Sequence, residues 1–358
     1  MTDTTVSSVG EESPGERGRP RMTVGQRLLT HLEVGRPDLC FYSGLVSVAG
    51  AVLASPSWTA WQLVGAFAAP ICGWFAAMYG GDYFDRELDK ITKSQRPLPS
   101  GRMRPAEAMI GMIAWVVLGA VIAFVLNPLS LIMVVLALSM GVAYSKVLKA
   151  RGLWGNAARG AITVCAFLVG ALSTSDSIAW ALLIPVGLVF GLHDAASNVI
   201  GAICDADGDR QGGYFTFPVR HGEKPALALM VAFHGAWVVL AVVYPMVWAA
   251  DRFQFAPYFS FVGVAVLLTA VSVAMLLRAP RPVPRLVGLK SHEVLVIERL
   301  VLGSAFVAGG AGLPLGLGIL IPFVAGTYLS SLFLMRGSYE PSRRWRASRE
   351  SRRSGERS

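Results

Sequence analysis

The sequence predicts an all-α polytopic membrane protein, a transmembrane helical bundle of nine or ten spans. Three observations predict it. Of the 358 residues, 54% are hydrophobic and only 15% are charged, against roughly 25% charged in ordinary soluble domains. Apolar runs recur from Leu39 to Met335 with no soluble-domain composition between them. The loops between those runs alternate in charge, as they do in a chain that crosses a bilayer repeatedly.

A hydrocarbon core ~30 Å thick needs about twenty apolar helical residues. The runs at 39–53, 61–83, 109–126, 129–144, 157–172, 178–203, 226–249 and 256–277 supply eight such spans in order. The last apolar stretch, 300–335, has 36 residues. At ~1.5 Å per residue it would be ~54 Å long, too long for one crossing. Its "GAGLPLGLG" at 310–318 is the natural break, giving a ninth and a tenth span or a re-entrant hairpin.

Positive residues fill 86–104 (Arg86, Lys90, Lys93, Arg96, Arg102, Arg104), 146–151, 210–224 and 278–299. The loops near 54–60, 127–128 and 173–177 have none, and the one near 251–255 has only Arg252. The positive-inside rule places the basic loops and the N-terminus in the cytoplasm. The C-terminal "RGSYEPSRRWRASRESRRSGERS" carries eight arginines and three glutamates. A tail of that charge belongs on the same side, which requires an even span count and favours ten. The chain divides into a polar N-terminal segment (1–35), a membrane domain (36–336) and the Arg-rich tail (337–358).

The net charge of +9 does not mark a nucleic-acid binder. Over half of it sits in the tail, where basic residues next to a span fix topology or touch anionic lipid headgroups. The four cysteines, Cys40, Cys72, Cys165 and Cys204, lie in or beside apolar runs without paired spacing, so packing rather than a disulfide or zinc site is expected. The first thirty residues are polar and lack an apolar h-region, so no cleavable signal peptide is expected.

Chemistry concentrates where the second run ends, in "GGDYFDRELDKITKSQRPLPSGRM" (80–103). Asp82, Asp85 and Asp89 fall at i, i+3 and i+7, a spacing that puts three carboxylates on one helical face. Like charges so placed repel, so stability does not explain them. A second acidic group, Asp194, Asn198, Asp205 and Asp209, is spaced by 4, 7 and 4 at the end of the sixth run. It forms one stripe if the helix continues past Gly201 and Gly208. Both groups lie at cytoplasmic ends of even-numbered spans and can face one cavity. Oxygen-only acidic ligands suit Mg²⁺, which takes one or two carboxylates plus substrate phosphate and water. Arg96, Lys149 and Arg210 in the adjoining loops supply cations for the remaining phosphate oxygens. The scattered histidines His193, His221, His234 and His292 read as helix-end or packing residues.

These segments also resemble a known family. "GDYFDRELDKITKSQRPLPSGRM" is similar to the first signature of the UbiA superfamily of intramembrane prenyltransferases, Asn-Asp-x-x-Asp-x-x-x-Asp followed by an Arg-Pro loop. "DADGDRQGGYFTFPVRHG" resembles its second signature, and "RPD" at 36–38 and "AYSKVLKARGLWGN" at 143–156 also fit. The resemblance implies that Asp82, Asp85, Asp89, Asp205 and Asp209 hold Mg²⁺ around an isoprenyl diphosphate. It matches Arg36 and Lys149 to diphosphate-binding cations, Asn198 to a polar position before the second motif, and Tyr144 to a loop tyrosine. One departure is chemical: Gly81 stands where the first motif usually has asparagine.

The expected function is therefore Mg²⁺-dependent prenyl transfer from an isoprenyl diphosphate donor to a small-molecule or lipid acceptor, expected to be aromatic. The prenyl chain would lie in a tunnel lined by residues such as Phe67, Trp74, Phe75 and Phe167, whose faces can stabilise a carbocation. Two alternatives stand beside it. An intramembrane terpene cyclase of the same superfamily would ionise the same diphosphate with no acceptor. A transporter using the aspartates as cation ligands is opposed by their position away from the midplane and by the lack of an inverted repeat.

Overall fold

In the computed structural model, residues 22–248 and 253–335 are described. Among them there are helices and loops but no strand. The N-terminal segment up to 21 and the Arg-rich tail lie outside the described residues.

The first helix, α1 (Val24–Gly35), starts at a capping box in which the Thr23 amide donates to Gln26 Oε1 at 2.9 Å. It occupies the end of the segment expected to be a polar tail. Val24, Leu28, Leu29 and Leu32 are exposed along it. Arg36 then adopts a left-handed conformation (φ 47°, ψ 64°), and Pro37 opens α2 (Pro37–Ala54). A non-glycine residue in that region is uncommon and costs ~1–2 kcal/mol. It turns the chain sharply and leaves the Arg36 side chain aimed at the end of the next helix.

That helix, α3 (Ala60–Phe84), is the second crossing, and the short α4 (Arg86–Thr92) follows it. Next come α5 (Pro105–Leu126) and α6 (Ser130–Ala143), which runs on through a π turn (Tyr144–Leu148) and a 3-10 turn (Lys149–Arg151). The remaining helices are α7 (Leu153–Thr174), α8 (Trp180–Gln211), α9 (Phe217–His221), α10 (Glu223–Val247), α11 (Phe255–Arg278), α12 (Arg285–Ala311) and α13 (Leu313–Ser330).

Ten helices among the described residues are long and apolar enough to cross a membrane, as an even span count requires. The last two differ from the expected boundaries. The ninth crossing begins at Arg285 rather than near Leu300, and the break falls at Gly312, whose φ of 98° separates α12 from α13. Among the described residues, this stretch forms two membrane-length helices and not a re-entrant hairpin. Residues expected in a basic loop, Glu298 and Arg299 among them, are buried inside α12.

Two layers explain the packing. Helices α2, α8 and α12 are largely buried, whereas α5, α6 and α13 present outward the apolar surface a lipid-facing helix needs. The core joins Tyr42, Leu45, Phe167, Phe190, Trp237 and Phe306. Helix α2 meets α7 so closely that a Cβ at Gly170 would sit 1.7 Å from the Ser47 carbonyl oxygen. Small residues permit this backbone approach, which helix pairs in membranes use in place of a hydrophobic driving force.

Helix α8 sets the position of the second acidic group. Its 32 residues make it ~48 Å long, well beyond a ~30 Å hydrocarbon core. The end carrying Asp205 and Asp209 therefore projects to the membrane surface, beside the loops that carry the basic residues.

Candidate active site

Helix α8 runs unbroken through Gly201 and Gly208 to Gln211, so Asp194, Asn198, Asp205 and Asp209 do share one helix. The first acidic group is arranged differently. The helix of Asp82 ends at Phe84, Asp85 caps both α3 and α4 (φ −87°, ψ 6°), and Asp89 lies on α4. The three carboxylates thus sit on two helices that meet at Asp85, and Asp82 and Asp89 still converge on one Arg96 nitrogen.

A cavity of about 720 Å³ lies between these ends. Asp82, Asp85, Asp194, Asp205 and Asp209 all line it, and so do Arg36, Arg96, Tyr144, Lys149 and Asn198. Two expected site residues stand in an adjoining pocket that shares Asp85, Lys93, Lys149, Asp205 and Asp209 with the cavity. Asp89 and Arg210 line this smaller pocket of about 450 Å³ on the loop side. Arg210 is exposed and pairs with Asp207 at 2.9 Å, one turn away on the same helix. Asp89 is buried and takes Arg96 Nη1 at 2.8 Å. Burial raises the Asp89 carboxyl above its ordinary pKa, against the pull of Arg96 and Lys93. For Arg96, burial lowers the pKa, but Asp82 and Asp89 outweigh it and the net direction is upward.

Four of the five carboxylates in the cavity, Asp82, Asp85, Asp194 and Asp205, are paired with cations from neighbouring elements, and Asp209 has no ion pair among the described residues. Arg36 Nη2 lies 2.5 Å from Asp82 Oδ1, and Arg96 Nη1 reaches the same oxygen at 3.3 Å. Lys149, in the turn after α6, holds Asp85 at 3.2 Å. Lys93 holds Asp205 at 3.0 Å, with Arg285 at 3.8 Å on its other oxygen. Tyr144 donates its hydroxyl to Asn198 Oδ1 at 3.1 Å, and Asn198 donates to Asn156 at 2.7 Å. A deeper pair joins Arg159 to Asp194 at 3.5 Å.

In this paired state, no three His, Cys, Asp or Glu side chains among the described residues converge as a metal cage. The donor chemistry still fits a hard divalent cation. Such an ion, when it binds with a phosphate substrate, takes only one or two carboxylates and fills its remaining positions with phosphate and water. Carboxylates on two helix ends, with lysines and arginines between them, provide those donors and the matching cations for the anion.

Of the four aromatics expected along the prenyl tunnel, Trp74 lines the cavity, and its indole Nε1 donates to the Gly35 carbonyl at 2.9 Å. The other three do not. Phe67 packs on Phe323, Phe75 on Trp115, and Phe167 is fully buried against Phe190. Away from the acids, the wall is built from Met112, Trp115, Val116, Met133 and Leu138. Lys93, Arg159 and Arg299 line the cavity although the sequence reading did not select them as site residues. Arg159 carried a usable signal, because a cation within an apolar run is costly unless it serves a site.

A model of the UbiA prenyltransferase family matches residues 43–292. The digeranylgeranylglyceryl phosphate synthase of Ignicoccus hospitalis is 33% identical over 267 residues, covering 73% of this chain and 86% of its own. Among solved structures, a UbiA homologue from Aeropyrum pernix K1 superposes with a TM-score of 0.65 at 20% identity, covering 75% of this chain and 97% of that one. A UbiA homologue from Archaeoglobus fulgidus, solved bound to DMAPP and Mg²⁺, gives 0.61 at 17% identity, covering 78% and 99%. The structural likenesses speak to the fold. The family match runs through both acidic motifs and most of the cavity wall between them, and the chain belongs to the UbiA prenyltransferase family.

Proposed function

We propose that this prenyltransferase moves a long prenyl group from an isoprenyl diphosphate to the free hydroxyl of a prenylated glyceryl phosphate. The observation that carries the donor half is the single cavity with acids from α3 and α8, cations between them and an apolar wall beyond. The acceptor half is supported by the relative named digeranylgeranylglyceryl phosphate synthase, a name that describes a glyceryl phosphate carrying two such chains. The expected aromatic acceptor gives way to this reading. The deep part of the cavity carries Arg159, Asp194 and Arg299, a charged lining that suits a polar headgroup better than a bare ring.

In this reading Asp82, Asp85, Asp205 and Asp209 hold Mg²⁺ against the diphosphate. When bound, the ion supplies Lewis-acid stabilisation of the departing diphosphate. The residues contribute by exchanging partners. To hold the ion, Asp82, Asp85 and Asp205 would give up Arg36, Arg96, Lys149 and Lys93, leaving those cations for phosphate oxygens. Charge stays paired before and after, which avoids the cost of an isolated ion at a membrane surface. Asp89, behind the wall, keeps Arg96 in place. The allylic C–O bond breaks with its electron pair on diphosphate, the acceptor oxygen forms the ether bond, and its proton is released. Trp74 and Trp115 at the apolar wall keep water from the cation.

The loops 93–104, 149–152 and 212–222 lie at the same end of the bundle as the acids. The positive-inside rule puts that end in the cytoplasm.

Membranes containing the protein, incubated with geranylgeranyl diphosphate and Mg²⁺, with and without a monoprenyl glyceryl phosphate, test the reading. A diether product that requires acceptor and Mg²⁺, and is lost in Asp85→Ala and Asp205→Ala, supports it. A hydrocarbon or terpene alcohol formed without acceptor would move the assignment to a cyclase. Product formation that survives both substitutions would sink the two-cluster site.

A further inference from the structure

Below the acidic ends, the same cavity has a second charged level made by Arg159 on α7, Asp194 on α8 and Arg299 on α12. Arg299 is only 5% exposed, yet no carboxylate among the described residues lies within ion-pair distance of it. Its Nη2 donates to Ser197 Oγ at 3.0 Å and lies 3.4 Å from His292 Nε2, and its Nε donates to the Leu295 carbonyl at 3.3 Å. The guanidinium sits over the Tyr42 ring, 5.2 Å from its centroid. The neighbouring Glu298 is engaged by His193 instead. Arg159 uses Nε on Asp194 at 3.5 Å. The level therefore holds two guanidinium groups for one carboxylate in contact with them. A buried guanidinium whose contacts are all neutral is expensive within a bilayer, and such residues mark sites for charged groups.

Depth supplies the second constraint. Ser197, which accepts from Arg299, precedes Asp205 on α8 by eight residues, ~12 Å along the axis. In a glyceryl phosphate the free hydroxyl is four or five bonds from phosphorus. Adding a reacting gap of ~3 Å and the two bonds from the donor carbon to its phosphorus places the two phosphorus atoms roughly 10 Å apart. Measured at Ser197, beside Arg299, the separation is close to that requirement, while Asp194, eleven residues before Asp205 and so ~16 Å away, puts the Arg159 side of the level deeper.

We propose that Arg299, with Arg159, binds the phosphate of the acceptor and makes this chain selective for a phosphorylated glyceryl lipid over its neutral counterpart. The assignment rests on the acceptor class proposed above. Asp194 orients Arg159, Ser197 orients Arg299, and the acceptor phosphate supplies the missing negative charge. The free hydroxyl is then held toward the diphosphate level, and the acceptor's own chain lies along the apolar wall.

The test is acceptor kinetics of the full-length protein in membranes, using a monoprenyl glyceryl phosphate ether and its phosphate-free counterpart. Wild type is expected to prefer the phosphorylated acceptor. In Arg299→Gln its KM should rise ~10- to 100-fold, while the KM of the neutral acceptor and of the diphosphate donor stay near wild type. Arg299→Lys keeps the charge without the two-pronged donor geometry and should fall between. If Arg299→Gln does not reach the membrane, Arg299→Lys carries the comparison. An unchanged KM for the phosphorylated acceptor, or an equal rise for both acceptors, overturns the assignment. A wild type that uses both acceptors equally well sinks the phosphate site alone. A wild type that prenylates neither overturns the acceptor class and this site with it.

Discussion

At the scale of single residues, the carboxylates divide by what they touch. Asp85 and Asp205 face the cavity with one cation each at about hydrogen-bond distance, whereas Asp89 is buried behind Arg96. Asp89→Asn should therefore cost less than the loss of a cavity carboxylate. About 10- to 100-fold in activity is expected, the usual range for a residue that orients another, and measurable as kcat/KM for the donor. Its KM for the diphosphate should carry most of the change, because Arg96 is what Asp89 holds. Gly81 offers a second test. It lines the cavity, and nothing stands within 4 Å of where its Cβ would lie. Gly81→Asn should fold, since an asparagine costs a helix no more than glycine, and should lower the Mg²⁺ concentration for half-maximal activity. An unchanged Mg²⁺ dependence would show that the amide is not needed here. The aspartates were legible in the sequence because acids at the end of an apolar run have no stabilising purpose. The facing of Phe67, Phe75 and Phe167 was not legible: runs apolar on every side give no periodicity from which to read direction.

At the scale of elements, hydropathy located eight helices but displaced the ninth. Helix α12 contains Lys290, Glu293, Glu298 and Arg299, and a hydropathy reading takes such a stretch for a loop. Inside the bundle, His193 takes one oxygen of Glu298 and Ser197 accepts from Arg299, so the helix runs on despite its charges, with the Arg299 charge itself left without a carboxylate among the described residues. The bend at Asp85 escaped for a related reason, since an i, i+3, i+7 spacing fits an unbroken helix equally well. Contact between α2 and α7 is a third feature that no pattern announces, because it depends on two small residues meeting from different helices. Gly170→Ala puts a Cβ 1.7 Å from the Ser47 carbonyl, where backbone rather than a flexible side chain must move. Overpacking of this kind costs ~1–3 kcal/mol or more. A lower midpoint of thermal inactivation in detergent is expected for Gly170→Ala. Gly73→Ala, whose Cβ would meet nothing within 4 Å, should leave the midpoint unchanged or higher.

At the scale of the whole molecule, the charge pattern of the loops and the position of the cavity make one statement about sidedness. Ten membrane-length helices among the described residues, an even number, put the start and the end of the bundle on the same side. On that side lie the basic loops, the aspartates and the cations that pair with them, while the loops at the other end include Ser55–Ser57 and Ser175–Ser177, without a charged partner for a diphosphate. A diphosphate is too polar to cross the hydrocarbon core, so it must arrive from the end where Lys93, Arg96 and Lys149 stand. In sealed inside-out vesicles, donor added to the bath should be consumed at once. In right-side-out vesicles, turnover should begin only after the membrane is permeabilised. A cysteine introduced at Ser100, in the basic loop, should react with an impermeant maleimide in the first preparation and not the second, and one at Ser57 should do the reverse. Labelling that follows this pattern while donor is consumed from the Ser57 side would separate topology from access. It would mean that diphosphate reaches the acids by a path other than the loop end, and the two acidic helix ends would no longer explain how substrate is captured.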